Sequence, residues 1–373
     1  MQTIAKRVIE TKGKTSGFDY LRVGLALSVI AVHSTVTSYG AEVDHLIWAR
    51  PQVAFYHMIL PMFFAVSGFL VAGSLERCET LVSFYGLRVL RILPALFVEV
   101  VMSAIVLGPL VSTLKPASYF VAPEFRAYFL NLIGDMHYVL PGVFAANPLP
   151  HIVNGQLWTV PFELECYIAL GVLTIIGLLR CPRILLFIVA AGQALWAWEA
   201  IRRGGDHTLG ASGPVLVLCF LVGVLLFLYR EYVPLNKPLF ATALFLSLGL
   251  VLLPRGAYYV SVPATYLTVY VGLLDPPKVR YLFSGDYSYG LYLYGVPIQQ
   301  GFASMGSWAH HWYLNLAFTL ALGFSIAFFS WHYIEKPTLA LRRFLPALEK
   351  RALLLMARKS KILSKEVADA RPA

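Results

Sequence analysis

Charge is what this sequence has least of. Only 13% of its 373 residues are charged, whereas a soluble globular domain carries about 25%. Hydrophobic residues make up 58% of the chain, and its mean hydropathy is +0.68. No stretch is long and polar enough for an added soluble domain. The composition therefore excludes an ordinary soluble enzyme and predicts an all-α, polytopic membrane helical bundle.

Cysteine chemistry and hydrolase motifs are also missing. The four cysteines form no Cys-x-x-Cys pair and no Cys/His cluster with metal-ligand spacing. No Gly-x-Ser-x-Gly sequence marks a nucleophilic serine. We therefore expect no bound metal, no permanently bound cofactor and no disulfide framework. The net charge of +10 alone would suit nucleic acid, but the basic residues lie beside apolar runs, so we expect no nucleic-acid partner.

What the chain does contain is apolar runs of transmembrane length. We predict ten spans, at 18–39, 51–73, 92–113, 156–179, 184–201, 213–230, 238–253, 257–274, 287–305 and 312–334. An even number puts both termini on one side. The short loops on that side carry Arg88 and Arg91, Arg180 and Arg183, Lys278 and Arg280. The positive-inside pattern therefore predicts cytoplasmic termini, and the basic N-terminus before a full-length span indicates no cleavable signal peptide.

The predicted organisation has one large domain. Residues 1–17 form a basic cytoplasmic N-terminus and residues 18–337 the membrane domain. Within that domain, residues 114–155 are rich in aromatics and proline, and we interpret them as a re-entrant or cap segment on the outer face. Residues 338–373 begin as a basic amphipathic helix, which we expect to lie on the inner membrane surface and to bind anionic lipid.

The first span carries two side chains that are expensive in a membrane. Arg22 and His33 are eleven positions apart, so on an α-helix they share a face, roughly 16 Å apart along the axis. Charged or titratable groups in a span face a cavity or a partner and are functional candidates. Asp19 lies one turn before Arg22 and can pair with it. The alternative is an arginine at the membrane interface and a histidine bonded to a neighbouring helix.

Further polar groups begin the third and fourth spans. Arg88 and Arg91 share a face at the predicted cytoplasmic interface, where arginine forks can bind phosphates or simply anchor the helix. Glu163 and Tyr167 share a face at spacing i,i+4. A carboxylate in an apolar run is paired or functional, although it can also serve only to join two helices.

Three other stretches carry weaker signals. Ser67, followed by a glycine within the second span, is better explained by close helix packing than by a nucleophile. Tyr289 and Tyr292 share one face of the ninth span, and aromatic stripes are more often packing than a site. Pro297 in the same span would free a backbone carbonyl one turn earlier.

Taken together in order, these residues resemble the acyltransferase 3 family of membrane proteins. The resemblance extends over residues 18–337 and rests on six motifs: Phe18-Asp19-Tyr20-Leu21-Arg22 with His33, the Phe63–Phe69 run around Ser67, the pair Arg88 and Arg91, the pattern of Trp158 with Glu163 and Tyr167, the run Ser288–Leu293 that holds Tyr289 and Tyr292, and Glu335-Lys336-Pro337.

The resemblance implies ten transmembrane helices and O-acylation of a carbohydrate. The donor would be cytoplasmic acyl-CoA as a co-substrate, and the acceptor a surface polysaccharide or a lipid-linked sugar, in the inner membrane of a bacterium. Many members have a histidine where this chain has Gly295. That departure shifts the expected chemistry to His33.

The residues and the resemblance suggest one mechanism. His33 would be the base that takes the proton of the acceptor hydroxyl. Arg22, Arg88 and Arg91 would bind the donor phosphates and the developing oxyanion. Glu163 is the second catalytic candidate, since it could orient His33. Asp19, Ser67, Trp158, Tyr167, Tyr289 and Tyr292 are the expected substrate-lining residues.

Two other classes of protein remain compatible with the residues. A transporter or flippase would use the buried arginine, histidine and glutamate as a substrate or proton pathway, although we see no internal symmetry in the sequence. An assembly subunit of a polysaccharide export machine would use them only to join helices.

Overall fold

The structure is a computed structural model, and it describes residues 2–48, 52–202, 212–253, 256–279, 285–351 and 353–354. Arg255, Arg280 and the chain from residue 355 onward lie outside the described residues. Within the described residues all regular secondary structure is helical, with two isolated β-bridges and no strand.

The helices follow the predicted apolar runs. Their bounds are α1 Ile4–Glu10, α2 Ser16–Ile47, α3 Val53–Glu76, α4 Leu81–Val101, α5 Gly108–Val111, α6 Pro116–Val121, α7 Pro123–Ala127, α8 Val160–Ile175, α9 Pro182–Arg202, α10 Gly213–Leu228, α11 Lys237–Leu252, α12 Ser261–Gly272, α13 Ser288–Ala303, α14 Trp312–Ser330 and α15 Lys336–Ala340. A π-helical turn, Met102–Leu107, joins α4 to α5, and another, Trp331–Glu335, joins α14 to α15.

Each of the ten predicted spans contains a helix in the part of the chain that is described. Five helical runs are long and apolar enough to cross a membrane by length and composition, namely Ser16–Ile47, Phe55–Glu76, Leu81–Val111, Gly155–Ile175 and Trp312–Arg351. The protein is thus an all-α, multi-pass membrane bundle. One predicted boundary is wrong, because α4 begins at Leu81 and not near residue 92. Arg88 and Arg91 therefore lie two turns inside a helix and not at its start.

Helices α3 and α10 form the closest packing in the bundle. A Cβ atom at Gly68 would lie 2.0 Å from the carbonyl oxygen of Phe220, and one at Gly223 would lie 2.7 Å from that of Ala65. Only glycine permits this approach of two backbones, as in other membrane helix pairs. The expected role of the Ser67-Gly68 pair in helix packing is confirmed for Gly68.

Helix α13 continues through Pro297, and its neighbours satisfy the carbonyl that the proline leaves free. That carbonyl belongs to Leu293, which accepts hydrogen bonds from Asn154 Nδ2 at 3.0 Å and Gln156 Nε2 at 3.2 Å. Later in the helix, Gln300 Nε2 donates to the carbonyls of Leu149 and Ile152. These bonds fix the segment before α8 against α13.

Residues 112–154 form a compact cap on the end of the bundle where α5 and α13 finish. Tyr119 and Tyr128 are fully buried in it, and the Tyr119 hydroxyl donates to the Ala104 carbonyl at 2.7 Å. Asn147 Nδ2 donates to the Gln300 side chain at 2.9 Å. The segment is thus packed against protein, which is how irregular backbone is tolerated at membrane depth.

Candidate functional site

A cavity of about 660 Å³ opens between α2, α3, α4, α8 and α13, at the end of the bundle opposite the cap. Its walls hold most of the polar residues that the sequence analysis selected. The polar and charged lining residues are Arg22, Ser67, Ser74, Arg77, Arg88, Arg91, Thr159, Glu163, Tyr167, Asp286, Ser288, Tyr289, Tyr292 and Arg342. Five arginines and two carboxylates thus face one space, so the cavity attracts anions.

Two of the arginines share one carboxylate. Asp286 Oδ2 lies 2.8 Å from Arg22 Nη1 and 2.7 Å from Arg91 Nη2, and the Ser288 hydroxyl donates to the other Asp286 oxygen at 2.7 Å. Arg91 Nη1 also lies 3.7 Å from the buried Glu335 carboxylate. We call Arg22, Arg91, Asp286 and Glu335 the arginine clamp. It joins α2, α4, the start of α13 and the π-helical turn after α14.

The clamp keeps its central carboxylate ionised. Burial raises the pKa of Asp286, but the charges of Arg22 and Arg91 and the Ser288 hydrogen bond outweigh burial and hold that pKa below its ordinary value. The pKa of Asp286 in the folded protein therefore lies below its unfolded value of about 3.9. The stabilisation that ionised Asp286 gives the fold is fully present above about pH 3.9. It is lost only as the pH falls through the folded pKa, far below physiological pH.

Arg88, one turn before Arg91, has a different environment. Its Nη2 donates to the Ser74 hydroxyl at 3.2 Å, and its guanidinium lies 5.7 Å from the centre of the Tyr167 ring. Its buried Nε has no hydrogen-bond partner among the described residues. None of the described carboxylates forms an ion pair with Arg88, so it lines the cavity as an anion-binding arginine would.

The predicted Glu163–Tyr167 pair exists and lines the cavity. The Tyr167 hydroxyl donates to Glu163 Oε1, and the Ser67 hydroxyl lies beside the same phenol. Helix α8 supplies both residues of the pair at spacing i,i+4, and α3 supplies Ser67. Ser67 thus serves the site, while the adjacent Gly68 serves helix packing.

The two tyrosines of α13 also reach the cavity. The Tyr289 hydroxyl donates to the Ile92 carbonyl at 3.0 Å, and its ring lies under Arg91. The Tyr292 hydroxyl lies 2.5 Å from Thr159 Oγ1 and 2.7 Å from the Gln156 carbonyl. Both hydroxyls are held by the protein, so these tyrosines shape the wall of the cavity.

His33 lies beyond the residues that line the cavity. Its Nδ1 is 2.9 Å from the carbonyl oxygen of Val29, one turn earlier on α2. A carbonyl only accepts, so Nδ1 carries the proton and the lone pair of the neutral ring is on Nε2. Val29 packs in one apolar cluster with Phe63 and Tyr292, which do line the cavity. His33 therefore lies one helical turn beyond Val29, which packs against residues of the cavity wall.

Besides His33, two predicted site residues lie outside the cavity lining, and one predicted pair is wrong. Asp19 is 2.5 Å from Lys278 Nζ and does not pair with Arg22, which is taken by Asp286. Lys278 is nearer in the folded protein because the loop after α12 returns to the start of α2. Trp158 packs edge-on against Phe162, with ring centres 5.9 Å apart.

The position of the missing family histidine also lies against α2. A Cβ atom at Gly295 would lie 3.0 Å from Cγ1 of Ile30, one turn before His33. A larger side chain there would have to displace Ile30. The glycine therefore allows α13 to approach α2 closely at this level.

Sequence reasoning missed three charged residues of the cavity. Asp286 stands two residues before α13 and could have been suspected as the counter-charge for buried arginines. Arg77 ends α3 and Arg342 follows α15, and both are exposed at the cavity mouth. No local motif marks either arginine, because it is the packing of the chain that brings them to the cavity.

Comparison with known proteins shows the family of the chain. The sequence profile of the acyltransferase 3 family, described as an acyltransferase domain, matches residues 15–335. Nodulation protein 10 of Rhizobium leguminosarum bv. viciae is 29% identical over 370 residues, which cover 90% of this chain and 96% of the relative. The O-acetyl transferase of Shigella phage Sf6 is 23% identical over 334 residues, covering 87% and 96%. No solved structure matches the chain.

The profile match spans most of the chain and includes the helices that form the cavity. Except for Lys336 and Pro337, it includes the residues whose motifs suggested the family from the sequence. The transferred group is an acyl group other than an aminoacyl group. This protein is a multi-pass membrane enzyme that belongs to the acyltransferase 3 family.

Proposed function

We propose that the protein transfers a short acyl group from acyl-CoA to a hydroxyl of a cell-surface or lipid-linked carbohydrate. The observation that carries the proposal is the set of five arginines lining one cavity beside the Glu163–Tyr167 pair. A CoA thioester combines several phosphates with a long uncharged arm. Arginine forks suit the phosphates, and the apolar part of the same cavity suits the arm.

The proposed reaction needs one base and one site for negative charge. The acceptor hydroxyl oxygen attacks the thioester carbonyl carbon, so a C–O bond forms and the C–S bond breaks. His33 Nε2 takes the hydroxyl proton and returns it to the departing CoA thiolate, which leaves as the free thiol. Arg77, Arg88 and Arg342, which pair with none of the described carboxylates, would hold the phosphates, whereas Arg22 and Arg91 already share Asp286.

The orientation of the protein in the membrane follows from the proposed donor. Acyl-CoA is cytoplasmic, so the arginine-lined mouth would open to the cytoplasm and the cap would lie outside, in a bacterial inner membrane. This agrees with the basic short loops of the sequence. Reporter fusions at Arg183 and Lys278 should read inside and a fusion at Lys115 outside. The reverse pattern would contradict the proposed donor side.

The direct test is transfer by the purified protein in lipid nanodiscs. Acetyl-CoA labelled in the acetyl group is supplied with a surface glycan from a strain lacking the gene, and labelled glycan and free CoA are measured together. Formation of labelled glycan and free CoA in equal amounts supports the proposal. Movement of a sugar across the bilayer of sealed proteoliposomes, without acylation in the nanodisc assay, would favour a transporter and refute the proposal.

His33 gives the sharpest variant for this assay. General-base catalysis contributes about 10²–10⁴-fold to a rate, so His33→Ala should lose at least about two orders of magnitude in transfer. His33→Gln keeps a hydrogen bond but takes no proton at neutral pH, and it should fail as well. Near-normal turnover of His33→Gln would make His33 a structural residue.

A further inference from the structure

The chain beyond the family match contributes part of the cavity wall. The match ends at residue 335, yet Leu339 in α15 and Arg342 in the following 3₁₀ turn, Leu341–Phe344, line the cavity. We call residues 336–351 the C-terminal strap. The sequence analysis placed this basic helix on the inner membrane surface, and that expectation stays a prediction.

The strap is held in place by the first half of α4. Leu345 is buried, and a Cβ atom at Gly86 would lie only 2.5 Å from its Cδ2 atom. The absence of a side chain at Gly86 thus makes the notch that receives Leu345. Glu349 faces Thr80 and Ser83 at the start of the same helix. These contacts fix the strap directly after its basic turn.

Two neighbouring arginines of the strap have different surroundings. Arg342 is exposed at the cavity mouth, and none of the described carboxylates forms an ion pair with it. Arg343 lies over the Phe344 ring, 4.8 Å from its centre, and is not a lining residue. The turn therefore directs one guanidinium toward the cavity and its neighbour away from it.

We propose that Arg342 is a donor-binding residue that holds a phosphate at the nucleotide end of the CoA thioester. This inference rests on the proposed function. With His33 as the base, the reacting thioester must reach the wall formed by Phe63 and Tyr292, so the charged end of the donor stays at the mouth. Arg77 and Arg342 are exposed there, and Arg88 lies deeper along the same wall.

Binding measurements test the assignment without an acceptor. Labelled acetyl-CoA is bound to wild-type protein and to Arg342→Ala in detergent free of phospholipid, with Arg343→Ala as the matched control. One lost charge-assisted hydrogen bond weakens binding about tenfold, so Arg342→Ala should raise the acetyl-CoA Kd by about that factor. Arg343→Ala should match wild type, and Arg342→Lys should recover only part of the loss.

Competition identifies which part of the donor Arg342 holds. Adenosine 3′,5′-bisphosphate carries phosphates of the nucleotide end, and S-acetyl-pantetheine carries the arm without them. Arg342→Ala should raise the inhibition constant of adenosine 3′,5′-bisphosphate about tenfold. It should leave the inhibition constant of S-acetyl-pantetheine unchanged. An equal loss for both competitors would mean that the strap supports the cavity only structurally, and would overturn the assignment.

Lipid headgroups offer the same phosphate chemistry, so the measurement is repeated in nanodiscs containing anionic phospholipid. A tenfold loss in both settings supports a donor phosphate. A loss that appears only with anionic lipid would assign Arg342 to the membrane and overturn the inference. If wild type itself does not bind acetyl-CoA, the proposed function fails; if wild type binds and Arg342→Ala binds equally well, only this inference fails.

Discussion

Arg88 and Arg91 are one turn apart on the same helix, yet the structure gives them different surroundings. Arg91 belongs to the arginine clamp and is neutralised by Asp286 and Glu335. Arg88 contacts a serine hydroxyl and an aromatic ring, and faces the cavity with its charge uncompensated within the described chain. The two arginines therefore look equivalent in the sequence, but they have different roles in the structure. A paired arginine holds helices together, whereas an unpaired one is available to a ligand.

The largest effect should come from removing the centre of the clamp. Asp286→Ala leaves Arg22 and Arg91 without their shared counter-charge, in a partly buried place. Breaking such a pair should lower the free energy of unfolding by about 2 kcal/mol, less than for a fully buried pair because solvent reaches these groups. Thermal unfolding in detergent measures it.

The matched control is Asp19→Ala, which removes an exposed partner of Lys278 outside the cavity. An exposed pair contributes about 0–1 kcal/mol, so this variant should unfold nearly as wild type does. If the two aspartate variants unfold alike, the clamp does not hold the helices together.

The next effect separates the two arginines of α4. Arg88→Ala should raise the KM for acetyl-CoA about tenfold with little change in unfolding temperature, because it removes a phosphate ligand. Arg91→Ala should instead lower the unfolding temperature. Steady-state kinetics and thermal unfolding are measured on both variants. Identical profiles for the two would show that the distinction drawn from their partners is wrong.

A smaller effect is expected at Glu163. Glu163→Gln keeps the shape of the side chain but removes the charge that accepts the Tyr167 hydrogen bond. We expect kcat to fall about fivefold, because the loss of one hydrogen bond costs about 1 kcal/mol. Glu165→Gln is the control, since Glu165 is exposed and does not line the cavity. Full activity of Glu163→Gln would leave this carboxylate with a packing role alone.

The apolar runs were sufficient to predict the helices, because membrane spans must be long, apolar and helical. The i,i+4 pairing of Glu163 with Tyr167 was predictable for the same reason, as both lie on one helix. The partner of Arg22 was not predictable. Asp19 is near it in sequence, whereas Asp286 is brought to it by the packing of α13 against α2 and α4.

The C-terminal strap shows the same limit. Its amphipathic pattern indicates an apolar face but does not say whether lipid or protein covers it. Leu345 fills the notch at Gly86, whereas Leu341, Phe344 and Leu348 stay exposed, and a glycine in a helix carries no local signal of what fills it. Contacts between distant parts of the chain therefore determine the site, while local periodicity determines only the elements that carry it.

The central claim, that this cavity binds a CoA thioester, can be tested at Cys78. This thiol lines the cavity beside the mouth arginines, whereas Cys166 and Cys219 are buried, and Cys181→Ser removes the exposed one. Burial raises the pKa of the Cys78 thiol, so alkylation by a maleimide is followed at mildly alkaline pH. Acetyl-CoA should slow labelling of Cys78 and S-acetyl-pantetheine should do so only at much higher concentration. Labelling at the same rate with and without saturating acetyl-CoA would contradict the account.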